Sequence, residues 1–144
     1  MNIRPYQDSD QQAVIQLWLD CGLVAPQNNP AKDILRKRCV NPEWFLVGTQ
    51  NDAIIASCMV GYEGHRGWIN YLAVSPGKQR NGYAKMIMDE AEQILKQAGC
   101  PKINLQVRSS NAKVIAFYKS IGFSDDQVIS LGKRLEIDTP DPAE

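Results

Sequence analysis

The chain has 144 residues, of which 44% are apolar and 22% charged, a composition typical of one globular domain with its own core. Its 16 basic and 16 acidic residues cancel, which argues against a sequence-independent nucleic-acid binder and against a polybasic membrane arm. No apolar run approaches the roughly 20 residues that span a bilayer, and residues 1–5 lack the apolar stretch of a secretory signal, so we expect a cytoplasmic protein.

The first third of the chain predicts one strand and two helices. Residues 2–6 form a candidate opening strand. Apolar residues at a 3/4 spacing between Ala13 and Cys21 predict a helix after it. Beyond a loop, Asn29 and Pro30 have the residue types of a helix start, and we expect a short second helix there.

Three strands are expected in the middle of the chain. Residues 44–49 and 53–61 are rich in apolar residues and are joined by a short polar turn, the pattern of a hairpin. A third strand, residues 68–74, follows the glycine-rich turn of residues 63–67.

The second half of the chain alternates helices and strands. The clearest helix covers residues 81–98, with one apolar stripe and charged residues on the opposite face. Alternating apolar and polar residues predict a strand at 102–107, and Asn111 is expected to cap a last helix that ends at Gly122. Residues 127–135 are expected to form a closing strand. This order fits a mixed α/β sheet with helices on both faces.

The four cysteines are widely spaced and include no C-x-x-C pair: Cys21, Cys39, Cys58 and Cys100. Because the chain has one histidine, a structural zinc site is hard to build, and we expect no metal. Three of the cysteines lie in periodic apolar segments and are expected to be small core residues in a reducing compartment. A catalytic thiol is the less favoured alternative, since a cysteine nucleophile usually needs a histidine base.

The turn at residues 79–84, Q-R-N-G-Y-A, joins the strand 68–74 to the long helix. A strand that turns directly into a helix leaves backbone N–H groups unpaired, and these groups and the helix dipole attract an anion, typically a phosphate. Gly82 would let the backbone approach such a ligand, and Arg80 adds positive charge. On spacing alone, a glycine that merely eases the turn is an equal alternative, because the glycine patterns of P-loops and dinucleotide folds are missing.

The same turn, preceded by Y-L-A-V-S-P, resembles the Q/R-x-x-G-x-G/A signature of the GNAT superfamily of acetyl-CoA-dependent N-acetyltransferases. Residues 111–123, N-A-K-V-I-A-F-Y-K-S-I-G-F, resemble the second motif of that family, and G-Y-E-G-H-R-G and G-C-P-K-I resemble its small bacterial YpeA-type members. The resemblance covers essentially the whole chain. It implies one α/β (α+β) domain at residues 1–138, with a mixed, mostly antiparallel sheet between helices, and a flexible tail at residues 139–144.

The resemblance implies acetyl-CoA as the co-substrate. In the family, the strand before the turn pairs with the pantetheine arm, a role that falls here on the backbones of Leu72, Ala73 and Val74. Asn111 would touch the pantetheine region, although a plain helix cap is the safer interpretation of this residue. The amides expected to hold the pyrophosphate are those of Gln79, Arg80, Asn81, Gly82, Tyr83 and Ala84.

Tyr118 matches the tyrosine that often serves as general acid in this family. The departing CoA thiolate, with a pKa of about 8.5, gains from a nearby phenol with a pKa of about 10 that shares its proton. The alternative is an aromatic side chain packed in the core beside Phe117.

The general base is less well marked. In the ribosomal-protein branch of the family a glutamate follows Leu in an L-E-V-R strand, whereas this chain has Gln106, which cannot accept a proton as a base. That difference puts a peptide N-terminus as the substrate in doubt. Glu63 and His65, in the turn where the acceptor should enter, are the remaining candidates. Entry of an already neutral amine, or a relay through water, is an equal alternative.

Two functions therefore remain open. The first is an N-acetyltransferase that transfers acetyl from acetyl-CoA to a primary amine of a small molecule or protein, by direct attack in a ternary complex. The second is a catalytically weak acyl-CoA-binding sensor or partner module. Tyr118 favours the enzyme, and Gln106 leaves room for the module. A homodimer is an option that the sequence leaves open, while nucleic-acid and membrane partners are not expected.

Overall fold

The computed structural model describes residues 1–138 and contains one five-stranded sheet with four helices. The strands are β1 (Asn2–Pro5), β2 (Phe45–Gln50), β3 (Ala53–Tyr62), β4 (Gly67–Val74) and β5 (Ile103–Asn104). The helices are α1 (Gln11–Asp20), α2 (Pro30–Lys37), α3 (Tyr83–Gln97) and α4 (Ala112–Ser120). The tail expected at residues 139–144 lies outside the described residues.

The strands lie in the sheet in chain order, from β1 to β5. The pairings β1–β2, β2–β3 and β3–β4 are antiparallel, and β4–β5 is parallel. The parallel pair needs a crossover connection, which α3 provides. The expected mixed, mostly antiparallel sheet is therefore confirmed.

The helices cover both faces of the sheet because its central strands carry apolar side chains on both faces. In β3, Cys58 and Val60 belong to a cluster with buried residues of α3, whereas Met59 belongs to a second cluster with buried residues of α1 and α2. This is the period-2 alternation of a strand that is covered on both faces. Each fully buried Leu, Ile or Met side chain contributes roughly 1.5–3 kcal/mol to folding.

The closing strand expected at residues 127–135 is wrong, because the described chain has no regular secondary structure after α4. Val128, Ile129, Leu131 and Leu135 are 78–92% exposed. A strand needs a sheet edge on which to pair, and β5 is only two residues long, not the six expected from residues 102–107. The apolar residues of this segment therefore stay exposed, and in the described chain they pair with no strand.

Tyr6 offers a test of how the second cluster is packed. Its ring stacks on Phe45 with 4.5 Å between centroids, and its hydroxyl is the one buried side-chain N or O atom of the described residues without a hydrogen-bond partner. Tyr6→Phe keeps the stack and removes the unpaired group. We expect the free energy of unfolding in urea to stay unchanged or rise by up to about 1 kcal/mol. A loss of that size or more would mean that the hydroxyl has a partner.

Candidate functional site

The strands β4 and β5 separate soon after they meet. Their pairing covers Gly67 with Ile103 and Trp68 with Asn104, and no ladder continues beyond that point in the described chain. The later half of β4 is therefore bound to β3 on one edge only. We call the space beside its other edge, towards residues 105–107, the β4–β5 gap.

Leu72, Ala73 and Val74 are the residues whose backbones are expected to pair with the donor. Two of them direct their N–H and C=O groups to this gap. The amide of Ser75 donates to the carbonyl of Ile55 on β3, at 2.8 Å. Because backbone groups alternate between the two edges of a strand, Ala73 also faces β3, opposite Ser57, whereas Leu72 and Val74 face the gap. In this register the backbone of Ala73 is directed to β3 rather than to the gap, and its expected role at the donor stays a prediction.

The carbonyl of Val74 is already occupied. It accepts a hydrogen bond from Nε2 of Gln79 at 3.0 Å and from the Cys21 thiol at 3.2 Å. The Gln79 side chain thus ties the following turn to the end of β4. The backbone of Leu72 is left as the freer hydrogen-bonding edge of the gap.

A bulge in β4 sets this register. Ser57 lies opposite Ala73 and Met59 lies opposite Asn70, so β4 has one residue more than β3 between these pairs. Tyr71 lies in the bulge with a φ of 52°, in the left-handed region that aromatic residues rarely adopt. The strand therefore changes phase in its middle.

Three contacts hold Tyr71 in place. Its ring stacks on Trp18 with 3.8 Å between centroids, its hydroxyl donates to Asp33 at 2.6 Å, and its carbonyl accepts from the Ser57 hydroxyl at 2.8 Å. Burial, and next the hydrogen bond to Asp33, raise the pKa of Tyr71, so the phenol stays protonated. No local sequence pattern predicts this arrangement, because the partners lie on α1, α2 and β3.

The turn before α3 has the backbone of an anion site. Arg80 has a φ of 66° and Gly82 a φ of 79°, so the residues on both sides of Asn81 have left-handed backbone conformations. Alternation of this kind turns successive N–H groups towards one side. A Cβ added at Gly82 would meet no other atom within 4 Å, so the space in front of the turn is open.

The start of α3 lacks protein acceptors. No described residue accepts a hydrogen bond from the backbone amides of residues 82–85, and the first turn of α3 holds no acidic side chain. In contrast, the side chains of Asn29 and Asn111 cap α2 and α4. Unpaired amides at the positive end of a 15-residue helix form a ready site for a phosphate.

Polar side chains in and near the turn stabilise the local backbone by hydrogen bonds. Nδ2 of Asn81 donates to the carbonyl of Lys78 at 3.0 Å, and the Tyr83 hydroxyl accepts from Gln50 at 2.9 Å. Asn111 accepts from the amide of Val114 at 3.3 Å, so its interpretation as a helix cap is confirmed. These side chains fix backbone conformation, and the backbone provides the donors.

Tyr118 lies in α4 and is 8% exposed. It belongs to the same apolar cluster as Leu72 and Val74, and its ring centroid is 5.5 Å from that of Phe123. No described residue is hydrogen-bonded to its hydroxyl, and this oxygen is not completely buried. Burial raises its pKa, with a smaller contribution from Cys58, so the phenol is protonated at neutral pH.

The two base candidates lie at the other end of β4. The carboxylate of Glu63 accepts hydrogen bonds from the backbone amides of His65 and Arg66, which closes the turn between β3 and β4. Both candidates are exposed and precede the first residue of β4, itself about 16 Å from Leu72 at the rise of a β-strand. The structure therefore does not bring them to the gap.

A cleft of about 670 Å³ lies between α2 and the C-terminal part of the described chain. Arg36 on its wall donates to both carboxylate oxygens of Asp138 at 2.7 Å and also to Asp33, the partner of Tyr71. The guanidinium holds the pKa of Asp138 below its usual value. The lining residues are Gln27, Arg36, Gly132, Lys133, Arg134, Leu135, Glu136 and Asp138.

Residues 1–138 contain neither a candidate metal site nor a candidate membrane span. Within this range, no group of three or more His, Cys, Asp or Glu side chains is arranged to hold a metal ion. Over the same range, every helix is too short or too polar to cross a bilayer.

Comparisons with known proteins identify the family of this chain. The model of the acetyltransferase (GNAT) family matches residues 11–123. An acetyltransferase of Yersinia enterocolitica is 44% identical over 138 residues, which are 96% of this chain and 98% of the relative. A Yersinia pestis protein named as an uncharacterized N-acetyltransferase is 43% identical, again over 96% of this chain and 98% of the relative.

A solved structure shares the fold of this chain. The crystal structure of Ard1 from Thermoplasma volcanium superposes with a TM-score of 0.78, over 85% of this chain and 82% of that one, at 23% identity. At that identity the likeness shows the fold alone. The family assignment depends on the family model and on the sequence relatives. The chain therefore belongs to the acetyltransferase (GNAT) family and is an acyltransferase.

Proposed function

We propose that this acyltransferase moves an acetyl group from acetyl-CoA to a primary amine of a small molecule or protein, by direct attack in a ternary complex. The observation that carries the proposal is the set of unpaired amides at residues 82–85, placed at the end of a strand whose other edge is open. Acetyl-CoA would supply a thioester, an acyl group already activated towards an amine.

The donor is held mainly by backbone in this proposal. The amides of residues 82–85 take the pyrophosphate, and the φ values of Arg80 and Gly82 support this assignment because they leave a concave, open surface. The backbone of Leu72 pairs with the pantetheine arm as an added strand would. The charge of Arg80 favours an anionic ligand at the same turn.

Tyr118 acts as the general acid. Its burial keeps the phenol protonated, and its place in the cluster with Leu72 and Val74 supports a position beside the gap. A proton donated to the departing sulfur prevents the build-up of thiolate charge in an apolar setting.

Residues 1–138 provide no evident acceptor for the proton of the incoming amine at the gap. Both oxygens of Glu63 hold the turn together, His65 is exposed in the same turn, and the amide of Gln106 contacts the Ser130 hydroxyl. Entry of the amine in its neutral form, or a relay through water, therefore explains the chemistry better than either base candidate.

The cleft beside α2 is the proposed acceptor side. It connects to β4 through Arg36, Asp33 and Tyr71, so an acceptor there would approach the sheet face opposite to Tyr118. Its lining includes carboxylates and cations, which fits an acceptor that carries an ammonium group and further polar groups.

The missing base favours one alternative, an acyl-CoA-binding module with little turnover. Release of free thiol from acetyl-CoA over a panel of primary amines separates the two functions, with calorimetry of CoA binding alongside. The enzyme predicts release that depends on the amine, with saturation. Tight CoA binding without acceleration by any amine would favour the module.

Gly82→Asp tests the phosphate turn, with Gly82→Asn as the matched control. Asp and Asn have similar size and tolerate left-handed backbone better than other residues with a Cβ, so they differ mainly in charge. We expect the Asp variant to bind CoA at least about tenfold more weakly than the Asn variant, since a carboxylate would face the pyrophosphate. Equal affinities in calorimetry would contradict the assignment.

Tyr118→Phe tests the acid, with Tyr62→Phe as a control that removes a hydroxyl outside the gap. We expect turnover at saturating acetyl-CoA to fall by ~10²–10⁴-fold in the first variant and to change little in the second. Unfolding in urea should be similar for both, because no described residue pairs with the Tyr118 hydroxyl. A near-normal rate would leave Tyr118 as a core residue.

A further inference from the structure

We infer that Tyr71 is a positioning residue, whose hydrogen bonds to Asp33 and Ser57 hold the β4 bulge and thereby decide which backbone groups face the β4–β5 gap. The inference about the backbone stands on the structure of the free protein. Its consequence for acetyl-CoA rests on the proposed function.

The bulge decides the phase of the strand. Before it, Asn70 lies opposite Met59; after it, Ala73 lies opposite Ser57. If the first register continued without the extra residue, Leu72 would lie opposite Ser57. A one-residue slip exchanges the two edges of a strand. The backbone of Leu72 would then pair with β3, and the gap would lose its free hydrogen-bonding edge.

The backbone conformation of the bulge is not stable without further contacts. An aromatic residue with a φ of 52° is in a disfavoured conformation, which persists only where the surroundings determine it. No glycine stands at this position to make the left-handed backbone easy. The stabilisation must therefore come from contacts of Tyr71 with the rest of the protein.

The contacts form one connected network. The Trp18 indole donates to the Ser57 hydroxyl at 2.9 Å, and that hydroxyl donates to the Tyr71 carbonyl at 2.8 Å. Trp18 and Ser57 are fully buried, so both groups depend on these bonds. The ring of Tyr71 lies flat on the same indole. The main chain of the bulge is thus fixed from the core.

The second anchor lies outside the sheet. The Tyr71 hydroxyl donates to Oδ2 of Asp33 at 2.6 Å, and Arg36 donates to Oδ1 of the same carboxylate at 3.1 Å. A hydrogen bond to a charged acceptor is among the stronger ones in proteins. The carboxylate is oriented by α2, so the helix fixes the tyrosine side chain and through it the strand.

Amide hydrogen exchange in the free protein tests the network without any ligand. In Tyr71→Phe and in Ser57→Ala we expect the amides of Ala73 and Ser75, which bond to β3 after the bulge, to exchange about tenfold faster or more. Amides of the β2–β3 pairing should change little.

The controls remove comparable groups. Tyr6→Phe takes away the same atom on the same sheet face, where it has no partner, and should leave exchange in β4 unchanged. Asp33→Asn keeps an acceptor for the phenol, so the amides of Ala73 and Ser75 should retain most of their protection against exchange. Equal exchange at Ala73 and Ser75 in Tyr71→Phe and Tyr6→Phe, or a uniform increase over the whole protein, would overturn the inference.

Acetyl-CoA binding measures the consequence. We expect the affinity to fall about tenfold in Tyr71→Phe, with a smaller loss in Asp33→Asn. If the natural chain binds no acetyl-CoA, the proposed function fails, and the exchange pattern still decides the role of Tyr71. If it binds and Tyr71→Phe binds equally well, the link between bulge and donor is wrong.

Discussion

The organisation of this protein depends on main-chain hydrogen bonds that residues 1–138 do not complete. The β4 strand is paired on both edges only at its first two residues, and α3 begins with amides that have no acceptor among residues 1–138. The amides at the start of α3 belong to exposed or half-buried residues, and backbone N–H groups in native proteins are almost always paired. Water or a ligand must therefore complete them, and both sets open towards the same end of the sheet.

The two apolar clusters place this unfinished edge between two helical layers. Leu72 and Val74 pack with α3 and Tyr118 on one face, while Ala73 and Tyr71 pack with α1 and α2 on the other. In the proposed function each face then contributes a different group to the reaction: a protonated phenol from one side and the polar surface of α2 from the other. The arrangement requires a strand that is buried on both faces, which explains why β3 and β4 are mainly apolar.

Much of this could be predicted from the sequence, because it depends on local patterns. Short stretches of sequence are enough to predict the apolar stripe of α3, the turn at Gly82 and the caps of α2 and α4. The bulge at Tyr71 could not be predicted, since an aromatic residue there argues against left-handed backbone and the partners that enforce it are distant in the chain. The expected strand at 127–135 failed for a related reason: alternation shows that a segment can pair, but the edge on which it pairs is a tertiary property.

A donor site made of backbone also bears on how the family varies. Amides and carbonyls are the same whichever side chains surround them, so such a site persists as long as its φ values and register persist. Side chains are then free to differ on the acceptor side, which in the proposed function is the cleft lined by Arg36. In that proposal Tyr71 links the two regions, because it holds the β4 bulge and donates to Asp33, to which Arg36 of the cleft also donates. A change at Tyr71 would therefore alter both substrates at once, unlike one at Gly82.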